Sequence, residues 1–185
     1  MSDARLRPML YLVGCAAPPV QHLGELILLF HQADWRVCVI PTPRAASWVD
    51  ERALAQQTGY PIRHDHRLPG NPESLPRADA IAVVPATFNT VNKWAAGISD
   101  TFALGILNEA IGLTLPITVL PYAKPSLAAH PAFSANLDKL TRWGVRVLPN
   151  AVIRAEGQLA PGLDWRPVVT AVKESLSHLW PGTAR

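Results

Sequence analysis

Short apolar runs alternate along the chain with longer stretches of helical period. Met9-Leu10-Tyr11-Leu12-Val13 is the first run, and Gly14 ends it. Leu23, Leu26, Ile27 and Phe30 then recur at the spacing of one helix face, which predicts a helix from about residue 20. Val37-Cys38-Val39-Ile40 reads as a second strand. Thr42-Pro43 opens a predicted helix with Ala45, Val49, Ala53 and Leu54 on its apolar side. Proline is well placed there, because the amide it lacks has no partner inside a helix. Ala80-Ile81-Ala82-Val83-Val84 is rich in β-formers on both faces and reads as the central strand. Helices are expected over residues 90–96, 99–111, 131–143 and 165–179, with strands at 117–120 and 145–148.

Strands alternating with helices in this way predict βαβ units around a parallel sheet. Residues 59–77 are the least regular stretch. They hold four prolines and the cluster Arg63-His64-Asp65-His66-Arg67, and one short strand is expected near residues 61–63. No internal repeat or low-complexity segment interrupts the pattern, so residues 1–185 read as one domain.

Composition narrows the reading. Hydrophobic residues make up 49% of the chain and charged residues only 17%, which excludes a disordered polyampholyte. The 17 basic and 14 acidic side chains are dispersed and form no nucleic-acid footprint. The apolar stretch at residues 9–13 is too short for a signal peptide, and no run is long enough to cross a bilayer. Cys15 and Cys38 make neither a disulfide framework nor a metal site. A cytoplasmic protein without metal, membrane or nucleic-acid partner is expected.

Ligands of open parallel sheets bind beyond the carboxyl ends of the strands. Three loops there carry polar or small residues. Gly14-Cys15-Ala16-Ala17 lets backbone amides approach an anion, although a strand-to-helix turn alone favours glycine. Thr42-Pro43-Arg44-Ala45-Ala46-Ser47 offers hydroxyls at a helix start, where Thr42 is equally an ordinary N-cap. Pro85-Ala86-Thr87-Phe88-Asn89-Thr90 directly follows the central strand and places several polar groups in succession, where capping needs one.

The third loop resembles the PASANT element of the homo-oligomeric flavin-containing cysteine decarboxylases, a family that includes phosphopantothenoylcysteine and lantibiotic-peptide decarboxylases. The likeness continues through Lys93, Gly97 and Asp100. Thr42-x-x-Ala45-x-x-Trp48-Val49 is similar to the family's TxxAxxFV element, and Pro131-Ala132-x-x-x-Asn136-Leu137 to the helix behind its substrate loop. The resemblance covers residues 10–149. It implies a Rossmann-like (flavodoxin-like) three-layer α/β sandwich with a central parallel sheet, and FMN as cofactor. Gly14, Cys15, Thr42 and Ser47 would then lie near the FMN phosphate, with Pro85, Ala86, Thr87, Phe88 and Thr90 around the ring and ribityl chain. Asn89 would be the catalytic asparagine that holds a substrate carboxylate. Asp100 would fix the loop or cofactor, unless it is simply a carboxylate favoured at a helix N-terminus. A homotrimer or dodecamer is implied as well, with the flavin at a subunit boundary.

Three departures qualify the likeness. The family's histidine ahead of the central strand is replaced by Asn71, leaving His64 or His66 either as a rearranged substitute or as plain surface. The family's PxMNxxMW substrate clamp reads Pro121-Tyr122-Ala123-Lys124-Pro125-Ser126-Leu127-Ala128, so Tyr122 and Lys124 become candidate substrate contacts, with Lys124 either attracting a different acid or simply solvated. Phe88 stands where alanine is usual, and is expected to stack on the flavin or substrate or to narrow the pocket. Two functions fit: an FMN-dependent, decarboxylase-like oxidoreductase for a thiol- or carboxylate-bearing small molecule or peptide, or a non-catalytic FMN-binding subunit.

Overall fold

A computed structural model of the chain describes residues 7–65, 75–149, 151 and 162–177. Five parallel strands form one sheet: β1 (Met9–Gly14), β2 (Arg36–Pro41), β3 (Ala80–Ala86), β4 (Ile117–Pro121) and β5 (Arg146–Val147). Their order is β2-β1-β3-β4-β5, with β3 in the centre as expected. This is the flavodoxin-like order, in which the chain winds first to one side of β1 and then to the other.

Strand geometry sends successive side chains to opposite faces, and two cores result. Leu10 and Leu12 of β1, Val37 and Val39 of β2, and Ala80, Ala82 and Val84 of β3 pack on one face. Helices α1 (Leu23–Gln32), α3 (Glu51–Thr58) and α8 (Arg166–Ser177) cover that face through Phe30, Leu54 and Val168 among others. Met9, Tyr11, Val13, Cys38, Ile40, Ile81 and Val83 point the other way. They meet α4 (Phe88–Ala95), α5 (Phe102–Gly112) and α7 (Pro131–Arg142) through Val91, Trp94, Leu104, Leu107, Phe133 and Leu140. The three-layer sandwich is therefore present.

Three expected elements differ. The helix placed from residue 42 to residue 54 is two pieces, α2 (Pro43–Ala46) and α3. Asp50 begins the second by accepting from the Ala53 amide at 3.0 Å, so the chain restarts at a new N-cap instead of continuing. Gly59 ends it at φ 74°, a conformation open to glycine without penalty. Residues 61–63 form no strand: Pro61 has no amide to donate, and the Arg63 amide lies 3.4 Å from the Val39 carbonyl without a ladder around it. The helix expected from residue 20 begins at Leu23 and is preceded by a 3-10 turn at Pro18–His22. The closing helix runs to Ser177, and its expected end at residue 179 lies outside the described residues.

Gly14 has a packing reason independent of any ligand. A Cβ there would stand 2.9 Å from Val20 Cγ2 and 3.0 Å from Leu23 Cδ1. Valine is stiff about χ1 and cannot swing clear. Gly14→Ala is expected to cost about 1–3 kcal/mol by overpacking, read as a lower midpoint in urea denaturation. An unchanged midpoint would refute this account of the β1 turn.

Candidate functional site

The order reversal at β1 and β3 opens a crevice where the loops leaving adjacent strands diverge. Its floor is tied by the Cys15 amide, which donates to the Pro85 carbonyl at 3.0 Å, and by the Cys15 thiol, 3.3 Å from Thr90 Oγ1. Thr90 in turn lies 3.1 Å from Thr87 Oγ1. Thr87 is the N-cap of α4, its carbonyl taking the Val91 amide and its hydroxyl facing the Thr90 amide at 3.5 Å. Phe88 and Asn89 occupy the first turn of α4, where amides have no partner within the helix. The Asn89 side chain is exposed and engages no group among the described residues. A carboxamide that both donates and accepts thus stands at the end of the central strand.

The other sequence candidates take distinct positions. Cys15 is buried and its amide is used, so it supports the floor and presents no free donor. Thr42 caps α2, accepting from the Ala45 amide at 3.3 Å, which leaves its hydroxyl hydrogen available to a ligand. Ser47 is exposed and spends its hydrogen on the Arg44 carbonyl at 3.0 Å. The Tyr122 amide donates to the Ala86 carbonyl at 2.8 Å, joining the loop after β4 to the loop after β3. Lys124 is the exposed N-cap of the short helix α6 (Pro125–Ala128), and its ammonium has no partner among the described residues.

Phe88 already has aromatic partners within the protein. Its ring packs on Phe133, with centroids 5.6 Å apart and planes inclined by 26°, and meets His130 edge-on at 5.6 Å. The larger residue therefore joins α4 to α7, reinforced by the Asn136 amide donating to Asn92 Oδ1 at 2.7 Å. Asp100 pairs with Lys93 in the last turn of α4, away from the loop that begins that helix. His64 is held by Glu51 at 3.5 Å and Asp65 at 3.1 Å beside α3, on the opposite side of the sheet from α4. His66 and Asn71 lie outside the described residues. The residue that sequence reading missed is His130. Its position before Pro131 signals only a helix start, and its proximity to Phe88 is a tertiary fact.

The strand ends at the switch point carry donors suited to an anionic or polar ligand. Thr42 offers a hydroxyl at one side of the switch point, and the first-turn amides and Asn89 offer donors at the other. The class is that of a doubly wound α/β domain, whose members take ligands at this switch point. Comparison with known proteins makes that specific: the Flavoprotein family model matches residues 18–177, and the chain belongs to that family. A relative from Thermococcus kodakarensis, the coenzyme A biosynthesis bifunctional protein CoaBC, is 36% identical over 128 residues, 65% of this chain and 30% of that protein. A cysteine/cysteine sulfinic acid decarboxylase from an unknown prokaryotic organism is 31% identical over 86 residues, 46% of this chain and 22% of its own length. The chain thus spans less than a third of these relatives. Among solved structures, the FMN-dependent cysteine decarboxylase TvaF from thioviridamide biosynthesis superposes with TM-score 0.74 at 24% identity, covering 92% of this chain and 99% of that one. The FMN-binding protein AtHal3 gives 0.72 at 20% identity, covering 97% and 100%. These likenesses bear out the flavodoxin-like sandwich and the resemblance to the flavin-containing cysteine decarboxylases, and the family match supports a flavin cofactor.

Both cysteines are buried, and burial pushes their thiols upward, that of Cys38 to about 12. A raised folded-state value stabilises the fold below the unfolded thiol range and is lost above it, because the unfolded chain then sheds protons that the folded one keeps. Iodoacetamide is expected to leave both thiols unlabelled at pH 7 until denaturant is added, and stability is expected to fall from about pH 8.5 upward, toward the value of about 12 at which folded Cys38 ionises. Rapid labelling of native protein, followed by mass spectrometry, would contradict this.

Proposed function

We propose that the chain is one flavoprotein domain that binds FMN in the β1/β3 crevice and acts as a decarboxylase-like oxidoreductase on a thiol- or carboxylate-bearing small molecule or peptide. The observation that carries the reading is Asn89, exposed and unpartnered at the first turn of α4. When bound, the flavin would supply oxidation of a substrate thiol carbon, after which loss of an adjacent carboxyl group becomes easy. The protein's own part is positioning. Thr42 would offer its hydroxyl hydrogen to the phosphate end, beside the Gly14–Ala17 turn, and Ser47 would reach it only by releasing the Arg44 carbonyl. Pro85, Ala86, Thr87 and Thr90 would line the ring side, and Phe88 would keep the loop docked on α7. The Asn89 amide would donate to the substrate carboxylate, with Tyr122 and Lys124 on the far wall. Asp100 would steady the far end of α4 through Lys93.

The reading predicts a flavin spectrum on purified or reconstituted protein, and bleaching on anaerobic addition of peptides ending in cysteine or an N-acylated cysteine. No flavin uptake would overturn it. The altered clamp and Asn71 favour a second reading, a non-catalytic FMN-binding subunit, for which the bound flavin would stay oxidised with every thiol offered. Asn89→Ala is expected to keep FMN and slow flavin reduction about 10–100-fold, the range for losing a hydrogen bond to a charged group. A homotrimer or dodecamer is proposed for the assembly; light scattering that shows a monomer retaining FMN would refute that part.

A further inference from the structure

We propose that His130 is a substrate-recognition residue of this crevice, a fixed Nε2–H donor for the carboxylate of the substrate. The inference rests on the FMN-dependent reading above and extends it to a residue that the family's clamp does not include.

His130 closes the loop that leaves β4, two residues beyond the end of α6. Its ring is held on two sides. Nδ1 accepts the Ala132 amide at 3.1 Å as the N-cap of α7. The ring also meets Phe88 edge-on at 5.6 Å, and Phe88 is the neighbour of Asn89 in the first turn of α4. An imidazole nitrogen that accepts from an amide keeps its lone pair, so the neutral ring carries its proton on Nε2. Nε2 has no partner among the described residues and the side chain is exposed. His130 thus stands as a donor of fixed tautomer. It is unsuited to act as a base at Nε2 without giving up the cap.

The charge of the surroundings selects the ligand. Segments 85–93 and 122–130 contain no aspartate or glutamate, while they supply Asn89, Lys124 and His130 as donors. Lys124 and His130 bracket α6, so one loop carries an ammonium at its start and an imidazole N–H at its end. An anion is the partner this set can take, and a carboxylate is the one the proposed chemistry places beside Asn89. The remaining described histidines belong elsewhere. His22 pairs with Glu25, His31 ends α1, and His64 sits between Glu51 and Asp65.

The test uses the FMN-loaded full chain with 3-mercaptopropionate and 1-propanethiol, which differ in the carboxylate, and reads affinity by titration calorimetry. Wild-type protein is expected to prefer the acid by about tenfold or more, the yield of one hydrogen bond to a charged group. His130→Asn keeps an oxygen near the Nδ1 position to cap α7 and lacks the Nε2–H. Its preference for the acid should fall about tenfold, with FMN content and Tm unchanged. His130→Gln, which restores an N–H near Nε2, should recover most of the preference. A wild-type protein that does not discriminate, or a His130→Asn variant that discriminates as wild type does, would overturn the inference. So would loss of FMN and Tm in His130→Asn, with both ligands weakened alike, because the ring would then be a cap and nothing more. Failure of the wild-type chain to take up FMN would instead strike the proposed function itself.

Discussion

The hydrogen bond from the Cys15 amide to the Pro85 carbonyl sits where the chain's two windings part. β1 and β3 are paired only from Leu10/Ala80 to Val13/Val83, and beyond that their continuations must separate to reach different layers. Without a link past the last ladder pair, the loops would splay and the crevice would have no floor. The Cys15 thiol extends the same tie to Thr90, and Thr90 to Thr87, so the start of α4 is fastened to β1 through buried or half-buried polar contacts. Buried polar groups left unpaired are costly. This short chain of contacts therefore holds the Asn89 turn in one place while leaving the Asn89 side chain itself unengaged.

The same economy governs the far wall. The Tyr122 amide donates to the Ala86 carbonyl, so the loops after β3 and β4 leave the sheet side by side. Phe88, Phe133 and His130 then pack the start of α4 against the start of α7, and the Asn92–Asn136 hydrogen bond adds a second point along the two helices. A phenyl ring in place of a smaller residue enlarges that contact. Its gain is apolar area buried between two helices that both border the crevice, and the cost is the freedom of the ring to reach a ligand.

Much of the architecture was legible because strand positions are apolar on both faces and helices on one. β3, flanked by helices in both layers, was readable as central from Ala80 to Val84 alone. What escaped reading depends on contacts distant in sequence or on local competition. Gly14 has the look of a ligand-approach glycine, yet Val20 and Leu23 already require it. The helix after Thr42 broke because Asp50 offers a better cap than continuation, a choice that periodicity does not register. Thr87, Asn89 and Thr90 were found as a cluster because they adjoin in sequence. His130, some forty residues downstream, became part of the same neighbourhood only through Phe88.

The loop after β4 keeps its frame through its backbone. The tie at Tyr122 depends on no side chain at all, so the small residues Ala123 and Ala128 that follow it leave it intact. The proline at Pro125 and the one at Pro131 each start a helix, so the loop's course is set by φ restriction at two points and by caps at Lys124 and His130. Of the two, only His130 is fixed by its side chain, through the Ala132 amide, while Lys124 contributes backbone alone. Specificity is freer to drift than cofactor binding in such a design. The β1/β3 floor is tied by contacts between two loops and a helix, whereas the exposed groups of the loop after β4 carry fewer contacts within the protein.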